Sequence, residues 1–182
     1  AASDPSNSEW QRDLSVSHNK IGDVFSAQGD LAAALKAYQN SLAIREKLAA
    51  SDPSNSEWQR DLSVSHNKIG DVFSAQGDLA AALKAYQNSL AIREKLAASD
   101  PSNSSWQRDL SVSFDRVGDV FSAQGDLAAA LKAYQNSLAI REKLAASDPS
   151  NSSWQRDLSV SFDRVGDVFS AQGDLAAALK AY

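Results

Sequence analysis

Two histidines, His18 and His66, are the imidazoles of this chain and the first candidates for a general base or a metal ligand. They stand 48 residues apart, and the next two positions on that spacing hold Phe114 and Phe162. A side chain that exchanges with phenylalanine serves packing, so neither histidine is read as catalytic. Ser15, Ser17 and Ser26 offer hydroxyls, but no His and Asp can be placed around them in triad geometry. Gly22 and Gly29 recur singly, which suits close helix packing and a helix stop and builds no phosphate-cradling loop. The absence of cysteine removes disulfides, thiolate zinc sites and thiol nucleophiles together. Asn103-Ser104-Ser105 and Asn151-Ser152-Ser153 match a glycosylation sequon and are read as turn chemistry. The expectation is a non-enzymatic protein with no catalytic residue, no metal and no cofactor.

Composition narrows the partners. The 18 Lys plus Arg against 23 Asp plus Glu leave a net charge of -5, the wrong sign for a nucleic-acid face. The apolar run Leu31–Leu35 is cut by Lys36, far short of the ~20 residues that span a bilayer. The chain shows no basic and apolar leader and no initiator Met, so it is expected to be an excerpt or a processed product, cytoplasmic if natural.

Repetition organises everything else. Ala1-Ala2-Ser3-Asp4-Pro5 returns from Ala49, Ala97 and Ala145, giving units 1–48, 49–96, 97–144 and a shorter 145–182. Units one and two are identical, and units three and four are identical over the 38 residues they share. The pairs differ at Glu9/Ser105, His18/Phe114, Asn19/Asp115, Lys20/Arg116 and Ile21/Val117. Identity this complete means a very recent expansion or deliberate design, with design favoured.

Each unit reads as two helices. Ser8-Glu9-Trp10-Gln11 has the form of a capping box, and Leu14, His18, Ile21, Val24 and Phe25 follow at helical spacing as a core stripe. Gly29 supplies a left-handed stop, Asp30 caps the next helix, and Asp52-Pro53 ends it. The spacing predicts helices at 9–28, 31–50, 57–76, 79–98, 105–124, 127–146, 153–172 and 175–182, with no strand. A linker as short as Gly29-Asp30 makes each pair antiparallel. The second helix is apolar over about 200° of its circumference, through Leu31, Ala34, Leu35, Ala37, Tyr38, Leu42, Ile44 and Leu48. One hairpin cannot cover that arc, so the next unit must, and the array becomes a solenoid. Trp10, Trp58, Trp106 and Trp154 are placed at the seams between units. Arg45 interrupts the apolar arc, and reflection through the turn sets it level with Asp13, its expected partner, with Asp61 competing.

The unit resembles the tetratricopeptide repeat, whose pattern runs aromatic-x-x-Leu-Gly-x-x-Tyr, then Ala-x-x-x-aromatic, in about 34 residues. It stands here as Phe114 to Phe121 with Gly118 inside, then Ala130 and Tyr134, and in the first unit as Ile21-Gly22, Phe25, Ala34 and Tyr38. The unit is longer, at 48 residues, and Glu46 stands where the family closes with Pro. The resemblance implies an all-α fold, a right-handed α-solenoid of stacked antiparallel hairpins forming a single domain over 1–182 in about four repeats. It also implies a peptide or protein partner along the concave face made by the first helices. On the helical wheel that face carries Arg12, Val16, Asn19, Lys20 and Asp23, then Asn67, Lys68 and Asp71, then Asp115, Arg116 and Asp119, then Asp163, Arg164 and Asp167. The recurring Asp argues against a clamp for a C-terminal carboxylate and for a basic or polar partner.

Two functional readings stay open. One is an interaction module that holds a peptide in its groove. The other is a structural, idealised array whose property is stacking, with head-to-tail self-association expected because neither terminus carries a polar capping repeat.

Overall fold

The computed structural model describes residues 7–182, so the leading Ala1-Ala2-Ser3-Asp4-Pro5 of the first repeat lies outside the described residues. Among the described residues there are eight helices and no strand: α1 (Ser8–Ala27), α2 (Leu31–Ser51), α3 (Ser56–Ala75), α4 (Leu79–Ser99), α5 (Ser104–Ala123), α6 (Leu127–Ser147), α7 (Ser152–Ala171) and α8 (Leu175–Ala181). The fold is all-α, built of successive helix hairpins. The chain divides into two compact units, Ala1–Ile92 and Arg93–Tyr182. In the first, α1 packs on α2 and α2 on α3; in the second, α5 packs on α6, α6 on α7 and α7 on α8.

The stops work as the residues predict. Gly29 has φ of 79°, a left-handed conformation that L side chains rarely adopt, and the Asp30 carboxylate accepts the Ala33 backbone N–H at 3.0 Å. The starts differ from expectation. Asn7, not Ser8, is the cap of α1, and its side-chain oxygen accepts the Trp10 N–H at 3.1 Å. Asn55, Asn103 and Asn151 repeat the arrangement. The expected partner of the serine cap goes elsewhere: Gln59 Nε2 donates back to Ala49 O at 3.2 Å, satisfying a carbonyl at the end of α2. The capping box fails because the helix starts one residue earlier: the Asn7 side chain accepts the Trp10 N–H, and the Asn7 carbonyl accepts the Gln11 N–H that the serine would have taken.

The second helices lie at the centre of the packing. In the first unit Ala34, Tyr38, Ile69, Val72 and Ala85 form one buried cluster, with Phe25, Leu31, Leu35, Leu42 and Phe73 packed around it. The wide apolar arc of α2 is therefore covered from two sides, by α1 and by α3. The second unit repeats this with Ala130, Tyr134, Val165 and Val168.

The first helices differ from expectation in which face meets which neighbour. The buried residues of α1 are Ser15, Asn19 and Gly22, while Leu14, Ile21 and Val24 are exposed. In α3 the equivalent Ile69 and Val72 are buried against residues of α2. The apolar stripes of α3 and α7 thus pack on α2 and α6, and the small, polar faces of α1 and α5 turn toward the second helix of their own hairpin. Gly22 explains the close approach. A Cβ there would fall 2.5 Å from the Tyr38 ring. The tryptophans are only partly buried, and Trp10 keeps 48% of its surface in solvent.

His66 sits half-buried on α3. Burial holds its imidazole below the usual value of 6.5, against an opposing pull from Glu46. The folded state thus resists protonation more than the unfolded chain. Stability from this residue is complete above about 6.5 and is lost as pH falls through the lower folded value. His66→Phe, the residue its copies carry, is expected to flatten the fall in the urea midpoint between about pH 7 and 5. Asp23 is lowered as well, but from its usual 3.8, so it titrates in a separate, more acid window. An unchanged acid slope in His66→Phe would refute the assignment.

Candidate functional site

The outward face of the first helices carries a recurring trio. In the first unit the Asp23 carboxylate on α1 accepts the Tyr38 hydroxyl of α2 at 2.7 Å and the Lys68 ammonium of α3 at 2.7 Å. Lys68 Nζ also stands 5.8 Å from the centre of the Tyr38 ring. In the second unit Asp119 accepts the Tyr134 hydroxyl at 2.8 Å and is ion-paired with Arg164, whose guanidinium lies 5.3 Å from the Tyr134 ring centre. Asp71 takes the Tyr86 hydroxyl and Asp167 the Tyr182 hydroxyl in the same way. Each trio joins three consecutive helices, so the Asp, the Tyr and the cation are brought together only by stacking.

The electrostatics follow from the contacts. Partial burial would raise the Asp23 carboxyl, but the hydrogen bonds from Lys68 and Tyr38 outweigh it and leave it below its ordinary range. The same arrangement pushes the Tyr38 and Tyr134 hydroxyls well above theirs, through burial first and the adjacent carboxylate second. These tyrosines are fixed donors and no candidates for general bases.

Grooves open beside the trios at equivalent positions of the two units. One, of about 390 Å³, is lined by Asp23, Ser26, Tyr38, Lys68 and Asp71 among others. The second, of about 430 Å³, is lined by Asp119, Ser122, Tyr134, Asp163, Arg164 and Asp167 with Val160 and Leu127. The first groove sets two carboxylates against one ammonium, the second three against one guanidinium.

The remaining residues assigned to the face divide. Val16, Lys20 and Arg116 are exposed with it, and Asn67 is half-buried. Arg12 is used at the seam between repeats, donating to the Asp61 carboxylate at 2.7 Å and lying 3.5 Å from Glu57. Asn19 and Asp115 are buried, and the structure corrects their placement: they face the second helix of their own repeat. A wheel drawn about one stripe had put them on the groove side, because it assigned the contact within the hairpin to the wrong arc.

Those two positions hold the buried arginines. Arg45 does not reach Asp13. Its Nε donates to Ser15 Oγ at 3.0 Å, and one terminal nitrogen donates to Asp61 O at 2.7 Å and Ser65 Oγ at 3.1 Å. Asn19, with its amide oriented to donate to Ser41 Oγ, accepts from Arg45 at 3.0 and 3.1 Å. The expected competitor Asp61 is engaged, but through its backbone carbonyl, since its carboxylate is taken by Arg12. Arg141 makes the equivalent bonds to Ser111, Ser161 and Asp157 O, and adds a 2.6 Å ion pair with Asp115. The Asn/Asp difference between the repeat pairs therefore replaces a neutral acceptor by a charged one. Only the recurrence of Ser15, Asn19 and Arg45 on facing arcs could have signalled this network in advance.

Nothing among the described residues brings three or more acidic or histidine side chains into a metal-holding group, and no described helix is long and apolar enough to cross a membrane. The geometry is that of a helical-repeat protein. The tetratricopeptide repeat family model matches residues 13–95 and 61–143, and the chain belongs to that family. Repeats of this family make protein-interaction or scaffold modules and are generally non-enzymatic. The crystal structure of BtubC (BKLC) from P. vanneervenii is similar over 92% of this chain and 60% of that one, with a TM-score of 0.71 and 19% identity. The apo form of RapI is similar over 94% of this chain and 41% of that one, with a TM-score of 0.74 and 13% identity. This chain thus spans less than two thirds of either protein, and the likeness is one of fold. Among curated proteins, no sequence matches it.

Proposed function

We propose that the chain is an interaction module whose first helices take a basic or polar peptide along their exposed face. The supporting observation is the recurrence of a groove at equivalent positions of both units, each with more carboxylates than cations. The internal Asp23–Lys68 and Asp119–Arg164 pairs cancel part of the acidity and hold the rim in place. What remains is net negative, richest beside Asp163 and Asp167, which are both exposed. A lysine- or arginine-bearing segment would meet those carboxylates with its charge and Val160 and Tyr134 with its aliphatic stem.

The test is a fluorescence-anisotropy titration with a labelled Lys/Arg-rich peptide and a Glu-rich peptide of equal length. The basic peptide is expected to bind more tightly, and more weakly as salt rises. Asp163→Asn with Asp167→Asn should weaken it by roughly threefold to tenfold, as expected for removing two partly exposed charges. Equal binding of the two peptides, or none at millimolar concentration, would defeat the proposal.

A second reading, a scaffold array of designed origin, is favoured by the identity of units one and two and of units three and four. Under that reading neither peptide binds.

A further inference from the structure

On the seam between α5 and α7, Arg164 serves two carboxylates. It is ion-paired with Asp119 and lies 5.3 Å from the centre of the Tyr134 ring. Asp115 stands one turn before Asp119 on α5, on the same side of the helix. Burial pushes the Asp115 carboxyl up, and Arg141 and Arg164 both pull it down, so the charge of Arg164 reaches it. That charge is needed. Arg141 satisfies Oδ2 of Asp115 at 2.6 Å, but Oδ1 is buried without a hydrogen-bond partner, and Asp119 adds a like charge one turn away.

The first unit builds the same seam without the second carboxylate. Asn19 stands in place of Asp115 and Lys68 in place of Arg164. The Lys68 ammonium meets Asp23 at 2.7 Å, and the residue one turn before Asp23 is the neutral Asn19. A compact, strongly hydrated ammonium suits one carboxylate, whereas a planar guanidinium with five donors can face two while lying over a ring. Along the chain Asn19 is followed by Lys68, Asn67 by Arg116 and Asp115 by Arg164, so aspartate followed by lysine does not occur. We infer that residue 115 is a specificity-determining position of the seam: aspartate there requires arginine from the following repeat, and asparagine accepts lysine or arginine.

A double-mutant cycle on the whole chain, read as urea unfolding without any peptide, tests the inference. Arg164→Lys should raise the unfolding constant roughly fivefold with Asp115 in place, and less than about twofold in the Asp115→Asn background. Lys68→Arg, made where Asn19 is the neighbour, should change it by less than about twofold. A second readout follows the carboxylate itself. The carboxyl 13C resonance of Asp115 should titrate at higher pH in Arg164→Lys than in the parent chain, because the lysine compensates the buried charge less well. Additive effects of Asp115→Asn and Arg164→Lys overturn the inference, as does an unmoved Asp115 titration. So does a gain from Lys68→Arg as large as the loss from Arg164→Lys, since arginine would then be preferred whichever residue it faces.

Discussion

Asp115→Ala is expected to lower stability by about 3–5 kcal/mol, because it strands the guanidinium of Arg141 inside the protein. Arg141 has 5% of its surface exposed and Asp115 6%, so water cannot take the carboxylate's place. Two serines and the Asp157 carbonyl would remain as acceptors, none carrying a full charge. Burial pushes the Asp115 carboxyl up while Arg141 pulls it down, and the net shift is upward, so the pair is strained by desolvation even when intact. The first repeat supplies the control. At the same position Asn19 serves Arg45 with a neutral oxygen. Asp115→Asn should therefore cost only about 1 kcal/mol, the scale of one hydrogen bond. Urea denaturation of the three proteins checks this. An alanine variant no less stable than the asparagine variant would show that Arg141 needs no partner there.

Tyr38→Ala is expected to cost about 3–5 kcal/mol, the usual loss for removing a buried aromatic ring. The ring lies where α1, α2 and α3 meet, with 2% of its surface exposed, and it fills the hollow left by the missing side chain of Gly22. Neighbouring backbone cannot collapse into that space without separating the helices. Tyr38→Phe keeps the ring and removes the hydroxyl donated to Asp23, so it should cost about 0.5–1.5 kcal/mol. It should also loosen the Asp23–Lys68 rim without unfolding the hairpin. Thermal unfolding of both variants gives the comparison, and similar losses would mean that the hydroxyl, rather than packing, is what Tyr38 contributes.

Much of this protein is legible in one repeat. The helix ends follow from Gly29, Asp30 and Asp52-Pro53, since a positive φ, a capping carboxylate and a missing N–H act within a few residues of where they stand. The covering of α2 from two sides follows from an apolar arc too wide for one neighbour. The cap was misassigned because two polar residues in succession, Asn7 and Ser8, can both serve, and only backbone geometry chooses between them.

The sequence by itself determined the number, length and order of the helices and the stacking of hairpins, because these rest on local backbone preferences and on how much apolar surface must leave water. Tertiary structure decided which arc of each first helix meets which neighbour, and with it the fate of the charges. Gly22 reads in the sequence as a close-packing glycine, but a wheel puts Asn19 on the groove side. With Ser15 the two form an interior face, because Gly22 lets the Tyr38 ring come close and Arg45 supplies donors for Ser15 and Asn19. Asp23, Tyr38 and Lys68 are 15 and 45 residues apart, and no periodicity within a helix relates them. Their meeting depends on the relative positions of three packed helices, a quantity set by side-chain volumes across the seams and carried by no single stretch of chain.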